Sequence, residues 1–175
     1  SVSASVRECL SDFPLLLLLP MSEAALAAKR ITIFKGRCTR FGTKELKPCE
    51  DAMKHRMDAG IFNILLSDLC ASYDRLCDTD NVDEETKTQV LSPLYKRIAV
   101  LKAFKLKKFR DRCTRFRSKL NACEEALKDR KGIYSFIGIE ETYESLDAVR
   151  NVDDKKKKEL LSPIYERITR LTSIH

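Results

Sequence analysis

The sequence contains no tryptophan and few residues that turn or break helices: five Gly and five Pro among 175 positions. So few turn formers leave little room for a loop-rich β protein. No two cysteines are spaced as CxxC and there are only two histidines, His55 and His175, which argues against a zinc site. No Gly-rich phosphate loop occurs, and neither a metal nor a cofactor is expected. Asn-x-Ser/Thr sequons are absent too, which decides nothing. The longest apolar run, FPLLLLLP at residues 13–20, falls far short of the ~20 residues a spanning helix needs. It is read as a buried packing segment. A removable leader is the weaker alternative: Ala24, Ala25, Ala27 and Ala28 follow it, but Glu8, Cys9 and Asp12 suit a leader poorly. For a secreted chain, the leader is expected to have been removed before residue 1.

What is present is ordinary for a folded chain: 43% hydrophobic and 34% charged residues, enough to bury a core as one domain or two small ones. The formal charge of +7 leans towards acidic partners. Seven cysteines are many for a reduced compartment, so a secreted chain with disulfides is expected.

The dominant feature is internal recurrence. FKGRCTRF at 34–41 returns as FRDRCTRF at 109–116, with six of eight residues identical. CEDAMKHR at 49–56 returns as CEEALKDR at 123–130, and residues 81–101 return at 151–171 with 11 of 21 identical. The offset shrinks from 75 to 74 to 70, so the second copy is shorter by one residue near Gly42 and Thr43 and by four more after Met57. A fainter trace at residues 4–20 resembles the tail of a preceding unit.

Each copy reads as helical. Leu106, Phe109, Cys113, Phe116, Leu120, Cys123 and Leu127 alternate spacings of three and four, one apolar stripe on a long helix. Its counterpart runs through Ile31, Phe34, Cys38, Phe41, Leu46, Cys49 and Met53, with a phase slip at the extra residue. Gly60 and Gly132 are expected to interrupt the chain before a shorter helix. Asp83 and Asp153 are expected to cap a short third segment, and Ser92-Pro93 and Ser162-Pro163 to start new helices. The fold class is therefore all-α: a tandem duplication of a helical unit, one long helix plus shorter ones. Two small bundles, residues 1–100 and 101–175, share a long helix across a boundary within 93–131.

Six cysteines are disulfide candidates: Cys38, Cys49, Cys70, Cys77, Cys113 and Cys123. In a hairpin about residue 60, Cys49 lies opposite Cys70, and Cys38 lies about one helical turn from register with Cys77. The second copy has Glu140 and Asp147 where partners would stand, so Cys113 and Cys123 bond elsewhere, bond each other or stay reduced. The alternative is that the cysteines serve as small buried apolar residues. The matched tyrosines Tyr73 with Tyr143, and Tyr95 with Tyr165, are read as core or rim residues.

Charge is uneven: residues 102–131 hold twelve Lys or Arg against four Asp or Glu. Arg110, Arg112, Arg115, Arg117 and Lys119 are the candidate contacts for a polyanion or protein partner. The plainer reading is a solvated face balanced by the acidic residues 68–85. Nucleic acid is not expected, because the aromatics fall on the apolar stripe. Catalysis is not expected either, since neither histidine has a nucleophile nearby in sequence, and the paired acids Glu140-Glu141 and Asp153-Asp154 suit helix starts. The function expected is that of a secreted, non-enzymatic binding or effector protein engaging an extracellular or host macromolecule through helical surfaces. A helical carrier of a small hydrophobic ligand, lined by residues 15–19 with Phe34, Phe41, Phe109 and Phe116, is the alternative. A fragment of a longer structural helical array is the second alternative.

Overall fold

The computed structural model describes residues 21–55, 58–128 and 138–173, and among them the fold is all-helical with no strand. The apolar run at 13–20, Cys9, Gly132 and His175 lie outside the described residues. In chain order the elements are α1 (Glu23–Phe41), a π-helical turn (Gly42–Leu46), α2 (Lys47–Lys54), α3 (Ala59–Cys77), α4 (Glu84–Lys128), α5 (Ile139–Asp147) and α6 (Asp154–Thr172). Among the described residues no helix is long and apolar enough to cross a membrane.

Two cores form along α4. Its Leu91, Leu94, Ile98 and Leu101 join Phe34, Cys38, Phe41, Leu46 and Cys49 of the first helical stretch and Phe62, Leu66, Leu69 and Leu76 of α3. Farther on, its Phe109, Cys113, Phe116, Leu120 and Cys123 join Ile139 and Leu146 of α5 and Leu161, Ile164, Ile168 and Leu171 of α6. Each core is fastened at its rim by a bidentate ion pair. Arg97 Nε and Nη2 on α4 donate to Glu50 of α2 at 2.8 and 2.7 Å. Arg167 of α6 donates from the same atoms to Glu124 of α4, both at 2.9 Å. The paired guanidinium holds each glutamate below the usual carboxylate range.

The phase slip has a structural answer. In an unbroken α-helix the five residues from Phe41 to Leu46 would place these side chains roughly 140° apart. Both are buried, at 2% and 0% exposure. The π-helical turn absorbs the surplus residue and returns Leu46 and Cys49 to the core face. Thr43 Oγ1 donates to the carbonyls of Thr39 and Arg40, at 3.2 and 3.1 Å, covering acceptors near the loosened turn.

Several expected boundaries differ. Asp83 and Asp153 do cap helices: the amides of Thr86 and Lys156 donate to their Oδ1 atoms at 2.8 and 3.0 Å. Asn81 and Asn151, with φ of 62° and 60°, turn the chain into those caps. The helices then continue through Ser92-Pro93 and Ser162-Pro163 instead of starting there. An interior proline costs about 3 kcal/mol. Here Leu91 and Leu94 flank Pro93, as Leu161 and Ile164 flank Pro163, and all four are buried, so core packing on both sides outweighs the lost backbone bond. Gly60 is likewise no break. It lies in the first turn of α3, and its amide donates to the capping Asp58 Oδ1 at 2.7 Å, where an added Cβ would stand 2.8 Å from that oxygen.

The π turn can be tested by deletion. Removing Thr43 should leave a regular α-helix with the same core face and change stability by no more than about 1 kcal/mol in urea unfolding. Removing the exposed Ser118 from α4 rotates Leu120 and Cys123 off the core and should cost more than about 3 kcal/mol.

Candidate functional site

Between the two cores the inward stripe of α4 reads Ile98, Leu101, Lys105, Phe109, at spacings of three, four and four. A lysine thus occupies a core position and is 6% exposed. Its Nζ donates to Asn63 Oδ1 on α3. Burial, and secondarily the charge of Arg112, pull the Lys105 ammonium below its ordinary range. No ion pair of the described residues includes it. Asn63 is held from a third direction, because its carbonyl accepts from Asn151 Nδ2 at 3.4 Å.

A cleft of about 280 Å³ opens at this junction. Phe62, Phe104 and Phe109 give it an aromatic wall, extended by Val149 from the loop between α5 and α6. Phe62 and Phe104 meet edge to face with centroids 5.5 Å apart. The other wall is cationic, made by Lys105, Lys108, Arg112 and Arg115, and among the described residues no Asp or Glu lines the cleft. Lys108 Nζ lies 5.4 Å from the Phe104 ring centroid.

The five basic residues singled out from sequence do not act as one patch. Arg112, Arg115 and Lys119 continue the row begun by Lys105 and Lys108, at alternating spacings of three and four, so they share one flank of α4. Arg112 Nη2 on that flank donates to Ser145 of α5 at 3.2 Å. Arg110 and Arg117 face elsewhere, and Arg117 Nη2 donates to the Leu160 carbonyl of α6 at 3.3 Å. None of the five pairs with a carboxylate among the described residues.

The disulfide expectation is corrected. Among the described residues Cys38, Cys49, Cys70, Cys77, Cys113 and Cys123 form no disulfide with one another. Cys49 does lie near Cys70, and Cys38 near Cys77, close enough that Cys70 adds to the upward shift of Cys49 and Cys77 to that of Cys38. Helices packed face to face bring some Cα atoms within the reach of a disulfide, yet none of these six sulfurs stands at bonding distance from another. The Phe and Leu side chains of the interface hold the helices at packing distance, and the sulfurs fill space beside them. In the second core α5 offers no cysteine opposite Cys113 or Cys123. Burial pushes the Cys49 thiol up to about 11, with Cys70 adding to the shift, and raises Cys113 and Cys123 as well.

Of the residues expected to line a carrier cavity, 15–19 lie outside the described residues. Phe34 and Phe41 pack in one core and Phe109 and Phe116 in the other, and of these four only Phe109 lines the junction cleft. The tyrosines pair at the rims: Tyr73 with Tyr95 at 6.2 Å and Tyr143 with Tyr165 at 5.6 Å between centroids. Asn63, Phe62 and Phe104 escaped the sequence reading, which counted Lys105 only within the basic run 102–131. The available signal was Lys105 itself, a charged residue in phase with the apolar stripe. No protein-family model, curated protein or solved structure matches the chain.

The buried thiols set a pH limit. Unfolded cysteine ionises near 9.0, whereas Cys49 in the fold holds its proton to about 11. Its contribution is therefore complete below pH 9 and is lost as pH rises to 11. Urea unfolding under reducing conditions should show wild type losing on the order of 2 kcal/mol more than Cys49→Ala across that window.

Proposed function

We propose that the chain is a secreted, non-enzymatic binding protein, built from a duplicated helical unit, that engages an acidic macromolecular partner through one flank of α4. The observation that carries this reading is the row Lys108, Arg112, Arg115 and Lys119, exposed on one side of a single stiff helix and without carboxylate partners among the described residues. A solvated face that served only solubility would gain from interspersed acids. On this flank the cations stand together, so their potentials add where a polyanion would approach.

Duplication is supported by matched details beyond sequence identity. The ion pairs Glu50–Arg97 and Glu124–Arg167 join equivalent positions. The left-handed Asn81 and Asn151, the capping Asp83 and Asp153, and the two tyrosine pairs do likewise. Secretion rests on cysteine content alone, and the buried thiols add nothing to it. The non-enzymatic reading rests on the sequence argument, with His55 exposed at the end of α2.

On a heparin column the chain should be retained above about 0.2 M salt, where charge screening already reaches below 8 Å. Arg115→Ala with Lys119→Ala should elute earlier and lower the slope of log affinity against log salt by about 1 for each sulfate that is no longer neutralised. Arg110→Ala with Arg117→Ala, off that flank, should change elution less. Elution of the wild type below that salt, or equal shifts for the two double variants, removes the flank as the binding surface.

A further inference from the structure

We propose that the junction cleft is a binding site for a small monoanionic amphiphile, a carboxylate with a short apolar body, seated with its head on Lys105 and its body against Phe62, Phe104 and Phe109. The site goes beyond the macromolecular partner proposed above and does not depend on it. Three features of the cleft select this class of ligand.

Size comes first. A volume of about 280 Å³ sits at the lower edge of ligand pockets, which run to roughly 300–1,000 Å³. A polymer chain does not fit inside, but a short amphiphile does. Polarity is the second feature. An aromatic wall faces a cationic one with no acid between them among the described residues, which matches a molecule that is apolar at one end and negative at the other. The third is the state of Lys105. An ammonium removed from water needs a counter-charge or a full set of hydrogen bonds. Lys105 is 6% exposed, yet its bonded partner is the neutral Asn63 amide. An anionic head beside Nζ would supply the missing charge. Among the described residues only this cation is buried so deeply, so one negative charge is placed at its Nζ. Arg112, at the cleft and already steadied by Ser145 Oγ at 3.2 Å, offers a fork suited to a planar carboxylate.

The experiment is isothermal titration of the full chain with octanoate and, separately, with 1-octanol, which has the same body without the charge. Wild type should bind octanoate with one site per chain and at least tenfold more tightly than octanol. Lys105→Met keeps the stem and removes the charge. It should lose at least tenfold in octanoate affinity while holding octanol unchanged or better. Arg112→Gln lies on the exposed side, so its fold is not in question, and it should weaken octanoate threefold or more. Lys119→Glu lies outside the cleft: it should weaken heparin retention and leave octanoate binding alone. Equal binding of octanoate and octanol, or octanoate affinity unaffected by both cleft variants, overturns the proposal. Heparin retention could survive that result, so failure of the cleft and failure of the basic flank are told apart.

Discussion

A helix as long as α4 cannot shelter its own apolar face. Over 45 residues it extends about 65 Å, and its inward stripe runs from Leu91 to Cys123. Left in water, that stripe would expose two phenylalanines, two cysteines and a series of leucines. Every other described helix is placed to cover part of it. The stretch from α1 to α2, together with α3, closes over the first half; α5 and α6 close over the second. The ion pairs at Glu50 and Glu124 then link the covering helices at the rims, but burial of the stripe is what brings them there. Among the described residues the covering is incomplete at the crossing between the cores, and the cleft lies at that crossing.

The sequence shows the stripe clearly because hydrophobic burial imposes its period over many residues. Phe109, Cys113, Phe116, Leu120 and Cys123 are all buried as their spacing implies. The slip at Gly42 was visible as one surplus residue, and the π turn is its geometric remedy. The helix starts were legible at Asp83 and Asp153, where a side-chain oxygen caps free amides, but not at the two Ser-Pro steps. Ser-Pro is a start signal only when nothing stronger extends the helix backwards. Here the aspartate caps and the buried Leu91 and Leu161 extend it by more than two turns.

The site was harder to see for a related reason. Clusters of lysine and arginine stand out in composition, yet composition does not say on which side of a helix a charge falls. Arg110 and Arg117 belong to the same basic run as Arg112 and Arg115 but point away from them. Lys105 carries the clearest chemical oddity, a cation in phase with leucine and phenylalanine, and its partner Asn63 comes from 42 residues earlier in the chain. That pairing exists only after α3 has folded back on α4. The cysteines mislead in the opposite direction. Their number suggests cross-linking, whereas four of the six described are buried on apolar stripes, where a thiol packs as a compact apolar group.

From position 94 to the end of α4 there is neither a glycine nor a proline. The backbone linking the two bundles therefore has no joint, and torque applied to one is delivered to the other with little loss. Each bundle is therefore built on one end of a single continuous rod rather than strung on a tether, and among the described residues the π turn beside it is where helical pitch changes.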